Sequence, residues 1–204
     1  MGFDRIIDIS LLCRNELGDS VMRHLMCEIM GRNSNIILTD GENRITDSIK
    51  HIDLTVSSLR NVLPGLIYFP PPSGERLNPQ EATEEDFYYA LKNSPEGREA
   101  DRAICDKVMG ISPLLAGECI YRACGDRNVS VGELTDNQKM EAAKELYSLF
   151  QRVKNGDFSP CIIKDKEKAV DISPFEILQY GERYTICKTK SMSDAAGEFY
   201  YLRD

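Results

Sequence analysis

Where the chain could do chemistry, the residue types point toward holding a polyanion rather than making or breaking bonds. In Val108-Met109-Gly110-Ile111-Ser112-Pro113-Leu114-Leu115-Ala116-Gly117-Glu118-Cys119-Ile120, one helix is predicted to end at Gly110 and another to begin around Pro113. This is the outline of a helix-hairpin-helix. A tight glycine turn beside a helix N-terminus exposes backbone N–H groups at the positive end of a dipole, and that cradle suits a phosphate diester. Gly110, Ile111 and Ser112 are therefore the candidate phosphate-binding hairpin, although Ser112 stands where such hairpins usually carry a second glycine. An αα-corner that only packs fits the pattern equally well.

Asp4-Arg5 opens a run of alternating residues, and alternation puts the two side chains on opposite faces of a strand. Read by themselves they are a solvated charge beside a half-buried acid. Glu28-Ile29-Met30-Gly31-Arg32 is a strand running into a glycine turn, from which Arg32 and Asn35 could reach phosphate or base edges.

Enzymatic chemistry finds little support. Ser57-Ser58 lacks a GxSxG setting, His51 shows no obvious partner at helical spacing, and Gly110, Gly117, Gly125 and Gly132 are isolated rather than grouped into a phosphate-binding loop. Seven cysteines form neither CxxC pairs nor an evenly framed set. Cys119 and Cys124 could be a metal or redox pair, but no second pair exists and His24 and His51 are remote, so buried thiols in a reducing compartment are the better reading. No catalytic centre, metal or cofactor is expected.

The elements that must position these residues read as follows. From Phe3 to Ile52 the pattern is period-two and β-branched, with turn signals at Glu16-Leu17-Gly18-Asp19, Gly31-Arg32-Asn33-Ser34 and Asp40-Gly41-Glu42-Asn43, which predicts an antiparallel meander. Asp40-Gly41 predicts a hairpin in which glycine supplies a positive φ. Leu63-Pro64-Gly65 and Phe69-Pro70-Pro71-Pro72-Ser73-Gly74 end regular structure and mark a boundary. Helix starts are predicted at Asn78-Pro79 and at Thr83-Glu84-Glu85-Asp86. A closing helix from Asp136 carries Met140, Ala143, Leu146, Tyr147, Phe150 and Val153 on one stripe, with Thr135 as cap and Gly156 as stop. After it, CIIKD, KAVDIS and RYTICKT read as strands before a short helix from Ser191. The fold class is thus α+β: an antiparallel β lobe (1–72), interrupted by a helical helix-hairpin-helix domain (73–156), with the chain returning to β and a terminal helix (157–204).

The 204 residues are 42% hydrophobic and 28% charged, with no apolar run long enough for a membrane span and no leader-like start. A net charge of −8 argues against indiscriminate attraction to phosphate. The excess is uneven, however. Acids crowd between Glu75 and Asp101, whereas Lys139, Lys144, Arg152 and Lys154 face only Glu141 and Glu145, leaving room for a local basic face.

Taken in order, GFDRIIDI, CEIMGRNSNIILTD with DSIKHI, VLPGLIYFPPP, GISPLLAGE and FSPCIIKD resemble the NFACT family over nearly the whole chain. That family includes bacterial proteins long labelled fibronectin-binding protein A and ribosome quality-control factors that direct carboxy-terminal tailing of stalled chains. The resemblance implies a cytoplasmic, nonenzymatic module that engages tRNA on a large ribosomal subunit carrying a stalled nascent chain. It implies that Asp4 and Arg5 are the family's functional pair, and that Glu28, Ile29 and Met30, with Arg32 beside them, form a second tRNA-binding patch. It further implies a β lobe like the amino-terminal domain of formamidopyrimidine glycosylases. Asn33 departs from the His or aromatic residue expected there. Family members are longer at both ends, so the first strand is expected to have an unpaired edge that invites dimerisation. Two competing expectations are a surface adhesin that binds fibronectin, opposed by the unframed cysteines, and a DNA glycosylase, for which no nucleophile or zinc site is recognisable.

Overall fold

Alternating β-branched residues fit a pleated, half-buried surface, and the chain before Ile52 pairs accordingly. In the computed structural model, which describes residues 5–55, 59–72 and 74–202, β1 (Ile6–Arg14), β2 (Ser20–Glu28), β3 (Asn35–Asp40) and β4 (Ile45–Ser48) form one antiparallel sheet in chain order. The pairs Ile6↔Glu28 and Met26↔Ile37 lie on the core side, where Met26, Ile37, Ile45 and Val62 pack together with Ile52 and Tyr68 against them. The opposite face is apolar and open: Ile7, Ile9, Leu11 and Ile36 are 51%, 43%, 37% and 39% exposed. Among the described residues β1 pairs only with β2.

The hairpin at Asp40 forms, but by another device than glycine. Asn43 takes the left-handed conformation (φ 61°) and Gly41 does not. The Asp40 carboxylate accepts the N–H groups of Glu42 (3.0 Å) and Arg44 (2.8 Å), closing the turn from its first residue.

The chain divides into two compact units, Met1–Gly74 and Glu75–Asp204. The second contains α1 (Glu84–Lys92), α2 (Ala100–Lys107), α3 (Pro113–Cys124), α4 (Asp136–Asn155), β5 (Cys161–Asp165), β6 (Lys168–Ser173), β7 (Thr185–Lys188) and α5 (Met192–Tyr201), with the sheet ordered β6-β5-β7. Capping boxes start α1 (Thr83 with Asp86) and α4 (Thr135 with Gln138), and Gly156 ends α4 in the left-handed region. Asn78-Pro79, by contrast, opens only a turn, in which the Asn78 carbonyl accepts the N–H groups of Glu81 and Ala82. Phe87 of α1 stacks on Phe150 of α4 at 5.9 Å, inside a core with Leu91, Ile104, Ile120 and Leu146. Met140, expected on the buried stripe of α4, is 48% exposed; Ala142 is buried instead. Phe199 of α5 packs on Ile162 and Ala169 of the second sheet.

Candidate nucleic-acid interface

β2 ends at Glu28 and is joined to β3 through a 3-10 turn, Gly31–Asn33. Gly31 has φ +57°, a conformation that lets the chain reverse immediately after Met30. The Met30 N–H donates to Ser34 Oγ (2.9 Å), and the Ile29 N–H donates to the carbonyl of Arg5 (2.7 Å). That last bond makes Arg5 and the Glu28-Ile29-Met30 stretch neighbours, although they lie apart in sequence. Arg5, Ile29 and Arg32 are exposed and Met30 is half-buried. Asp4 lies outside the described residues.

Glu28 is different, because its position opposite Ile6 turns it into the core and its side chain is fully buried. A buried carboxylate needs a cation and hydrogen-bond donors. Arg60 supplies the cation through an Nη2–Oε2 ion pair, and the Tyr68 hydroxyl donates to Oε1 at 3.0 Å. Arg60 also donates to the carbonyl of Phe69 (2.7 Å), with its guanidinium 6.0 Å from the Tyr68 ring centre. Burial, followed by the negative charge and hydrogen bond of Glu28, pushes the Tyr68 hydroxyl pKa well above its ordinary value, so it remains a donor.

Beside this cluster lies a cleft of about 660 Å³ lined by Met30, Arg32, Asn33, Lys50, His51, Ile52, Leu59, Arg60, Pro71 and Pro72, with no carboxylate among the described residues of its lining. Lys50 Nζ donates to the Arg32 carbonyl (3.0 Å), holding an ammonium at the turn. Asn35 does not reach outward as the sequence suggested. It is buried, and its amide clamps the Lys50 backbone, accepting from N–H and donating to C=O at 2.9 Å each. His51 bonds Asp47 at 3.0 Å on the surface nearby, so it does have a partner four residues back, against the sequence expectation. Lys50, His51 and Tyr68 lie in DSIKHI and VLPGLIYFPPP, stretches that carried the resemblance without assigning these residues a role, and Arg60 lies between them in a stretch without a motif. The one available signal was Glu28 on the core side of a strand, which demands a buried cation from somewhere in the chain.

In the second unit, α2, the turn 108–112 and α3 form the expected hairpin. Gly110 has φ +72°, Ser112 caps α3 by accepting the Leu115 N–H (3.3 Å), and Pro113 occupies the first turn. Leu77 pins the turn, donating to the Lys107 carbonyl (2.7 Å) and accepting the Met109 N–H (3.0 Å). Among the described residues the N–H groups of Gly110, Ile111 and Ser112 find no acceptor, while the Ile111 side chain is buried and anchors the loop. Glu118 fixes α3 from below: it is buried and accepts the N–H groups of Leu178 and Gln179 at 3.0 Å and Arg122 Nε at 2.8 Å.

Other clusters have different geometry. Asp8, Ser10 and His24 converge on β1 and β2, but the carboxylate (3.0 Å) and the hydroxyl (3.4 Å) both approach His24 Nδ1. A charge relay needs the hydroxyl on the other ring nitrogen. Burial raises the thiols of Cys105 and Cys161 to about 11, and Cys119 higher still, which disfavours thiolate. Among the described residues no group of His, Cys, Asp and Glu could hold a metal ion, and no helix is long and apolar enough to cross a membrane.

The model of the NFACT N-terminal and middle domains matches residues 1–204. RqcH of Bacillus subtilis (strain 168), named as an Rqc2 homolog, is 43% identical over 162 residues, which is 79% of this chain and 26% of that protein. RqcH of Streptococcus suis (strain 05ZYH33) is 40% identical over 89 residues, 43% of this chain and 16% of that protein. Among solved structures, the fibrinogen binding protein from Staphylococcus aureus superposes with a TM-score of 0.70 at 25% identity, covering 98% of this chain and 67% of that chain. The N-terminal part of the fibronectin/fibrinogen-binding protein from Streptococcus suis gives 0.64 at 23% identity, covering 100% of this chain and 66% of that chain, and shows the fold. The chain spans about a quarter of the length of the Bacillus relative. With the family model matching from the first residue to the last, the chain belongs to the NFACT family, in the region of its N-terminal and middle domains.

Proposed function

We propose that this chain is the tRNA-engaging, nonenzymatic part of a cytoplasmic ribosome quality-control factor that acts on large subunits carrying a stalled nascent chain. The observation that carries the reading is the cleft beside the Glu28-Ile29-Met30 turn, with Arg32, Lys50 and His51 in its lining and Met30, Ile52, Leu59 and two prolines as its apolar surface. The cations Arg32 and Lys50 beside an apolar surface suit a nucleic acid whose bases are accessible, as in single-stranded loops of RNA. Arg5, joined to Ile29 through the backbone, extends the contact surface along β1. The contact roles assigned to Asp4 and Arg5, and to Ile29, Met30 and Arg32, follow the family resemblance, whereas Glu28, implied by it as a contact, is buried and serves the turn from inside. The N–H groups of Gly110, Ile111 and Ser112, which have no acceptor among the described residues, are the groups that would meet a phosphate in the second unit. The relatives' name as Rqc2 homologs supports the ribosomal setting.

The test is binding of deacylated tRNA by the chain across a salt series, with Arg32→Ala and Lys50→Ala as variants. Each lost phosphate contact should make the plot of log affinity against log salt shallower by roughly 0.7–0.9. An unchanged slope for both variants, or no binding by the unmodified chain, contradicts the reading. In the latter case the fibrinogen-binding and fibronectin/fibrinogen-binding names of the structural relatives make a protein partner the next candidate.

A further inference from the structure

We infer that Arg60 and Tyr68 are positioning residues for the Glu28-Ile29-Met30 turn and its cleft, and that Glu28 acts through them rather than by touching a partner. This inference rests on the function proposed above and adds residues to the same site. Glu28 has a fully buried side chain, so its carboxylate is enclosed by the protein itself. Its charge is answered by Arg60, whose own side chain is 14% exposed. The same guanidinium reaches the Phe69 carbonyl, immediately before the prolines that wall the cleft. One side chain thus ties together the end of β2, which leads to Met30; its own stretch, which supplies Leu59; and the segment leading to Pro71 and Pro72. Each of those residues lines the cleft. Tyr68 braces the arrangement from the core side, donating to Glu28 while packing against the cluster of Met26, Ile37, Ile45 and Val62. A lysine in place of Arg60 has no planar fork with which to hold a carboxylate and a carbonyl together. Because the charge of Arg60 is matched by Glu28 at hydrogen-bond distance, it adds little to the field that attracts phosphate.

Charge contact and positioning therefore leave different signatures. The experiment compares Arg60→Met, Tyr68→Phe, the apolar pair Glu28→Leu with Arg60→Met, and Arg32→Ala, reading tRNA affinity over a salt series and amide hydrogen exchange at Ile29–Asn33 without RNA. For Arg60→Met we expect affinity to fall by roughly tenfold, a typical coupling for groups in one network, with the salt slope of the unmodified chain and faster exchange in the turn. Tyr68→Phe removes a single hydroxyl, keeps the fold, and should also speed exchange. The apolar pair should recover thermal stability, as replaced buried ion pairs often do, without recovering affinity. Arg32→Ala should lower the slope and leave exchange alone. The inference is overturned if Arg60→Met lowers the slope as Arg32→Ala does, if it leaves exchange unchanged, or if the apolar pair restores affinity together with stability. Should the unmodified chain fail to bind tRNA, the proposed function falls, and the exchange measurement still decides whether Arg60 and Tyr68 hold the turn.

Discussion

At the scale of single residues, burial separates groups that hold the site from groups that face outward. Glu28 follows Met26 at the two-residue spacing of a strand and shares its core side, whereas the family resemblance implied an RNA contact for it. Its partner was not legible in the sequence, because Arg60 lies 32 residues away in a stretch whose composition announces nothing. Asn35 and Gly41 show the same limit: hydrogen-bonding capacity and turn type were readable, but which backbone group each would serve depends on strands meeting in space. Carboxylates that accept backbone N–H groups also set a pH dependence. Asp86 is held below the usual carboxylate range chiefly by the Thr83 N–H, and Glu133 by that of Ser130. A folded-state pKa below the unfolded one gives stability that is present above the unfolded value, about 4, and is lost as pH falls through the folded value. Thermal melts from neutral to acidic pH should therefore show Tm falling below about pH 4, with Asp86→Asn and Glu133→Gln each flattening that fall. A fall unchanged in both variants would place its origin elsewhere.

At the scale of elements, most of the fold was legible. The meander, the helix starts at Thr83 and Thr135 and the returning strands appear where periodicity and turn chemistry placed them. Met140 and Asn78 were misplaced because each reading stopped at the local pattern. Helical spacing does not say which edge of a stripe a neighbour covers, and a prolyl turn does not continue unless later residues supply a helix. β1 carries a further consequence. Its outer edge pairs with no strand among the described residues, and Ile7, Ile9 and Leu11 expose apolar surface beside it. Strands of this kind associate with other chains. Sedimentation velocity should show the chain self-associating with rising concentration, and Ile9→Lys should return it to monomer. A chain that stays monomeric throughout, or a variant that associates equally, would show that this edge and face are not used.

At the scale of the whole molecule, the chain presents separate features suited to a polyanion in its two compact units: the cationic cleft in Met1–Gly74 and the N–H turn in Glu75–Asp204. Neither depends on net charge, which is −8. Motif order, not composition, carried the family and, through it, the candidate site. Lys50, His51 and Arg60 became visible only once the sheet had brought them to the end of β2. The most direct test follows amide NMR shifts of the chain as deacylated tRNA is added. Shifts should concentrate at Arg5, Ile29–Asn33 and Lys50–Ile52, with a second group at Gly110–Ser112. Shifts confined to other surfaces, such as Tyr88, Tyr89 and Met140 on α1 and α4, would contradict the account.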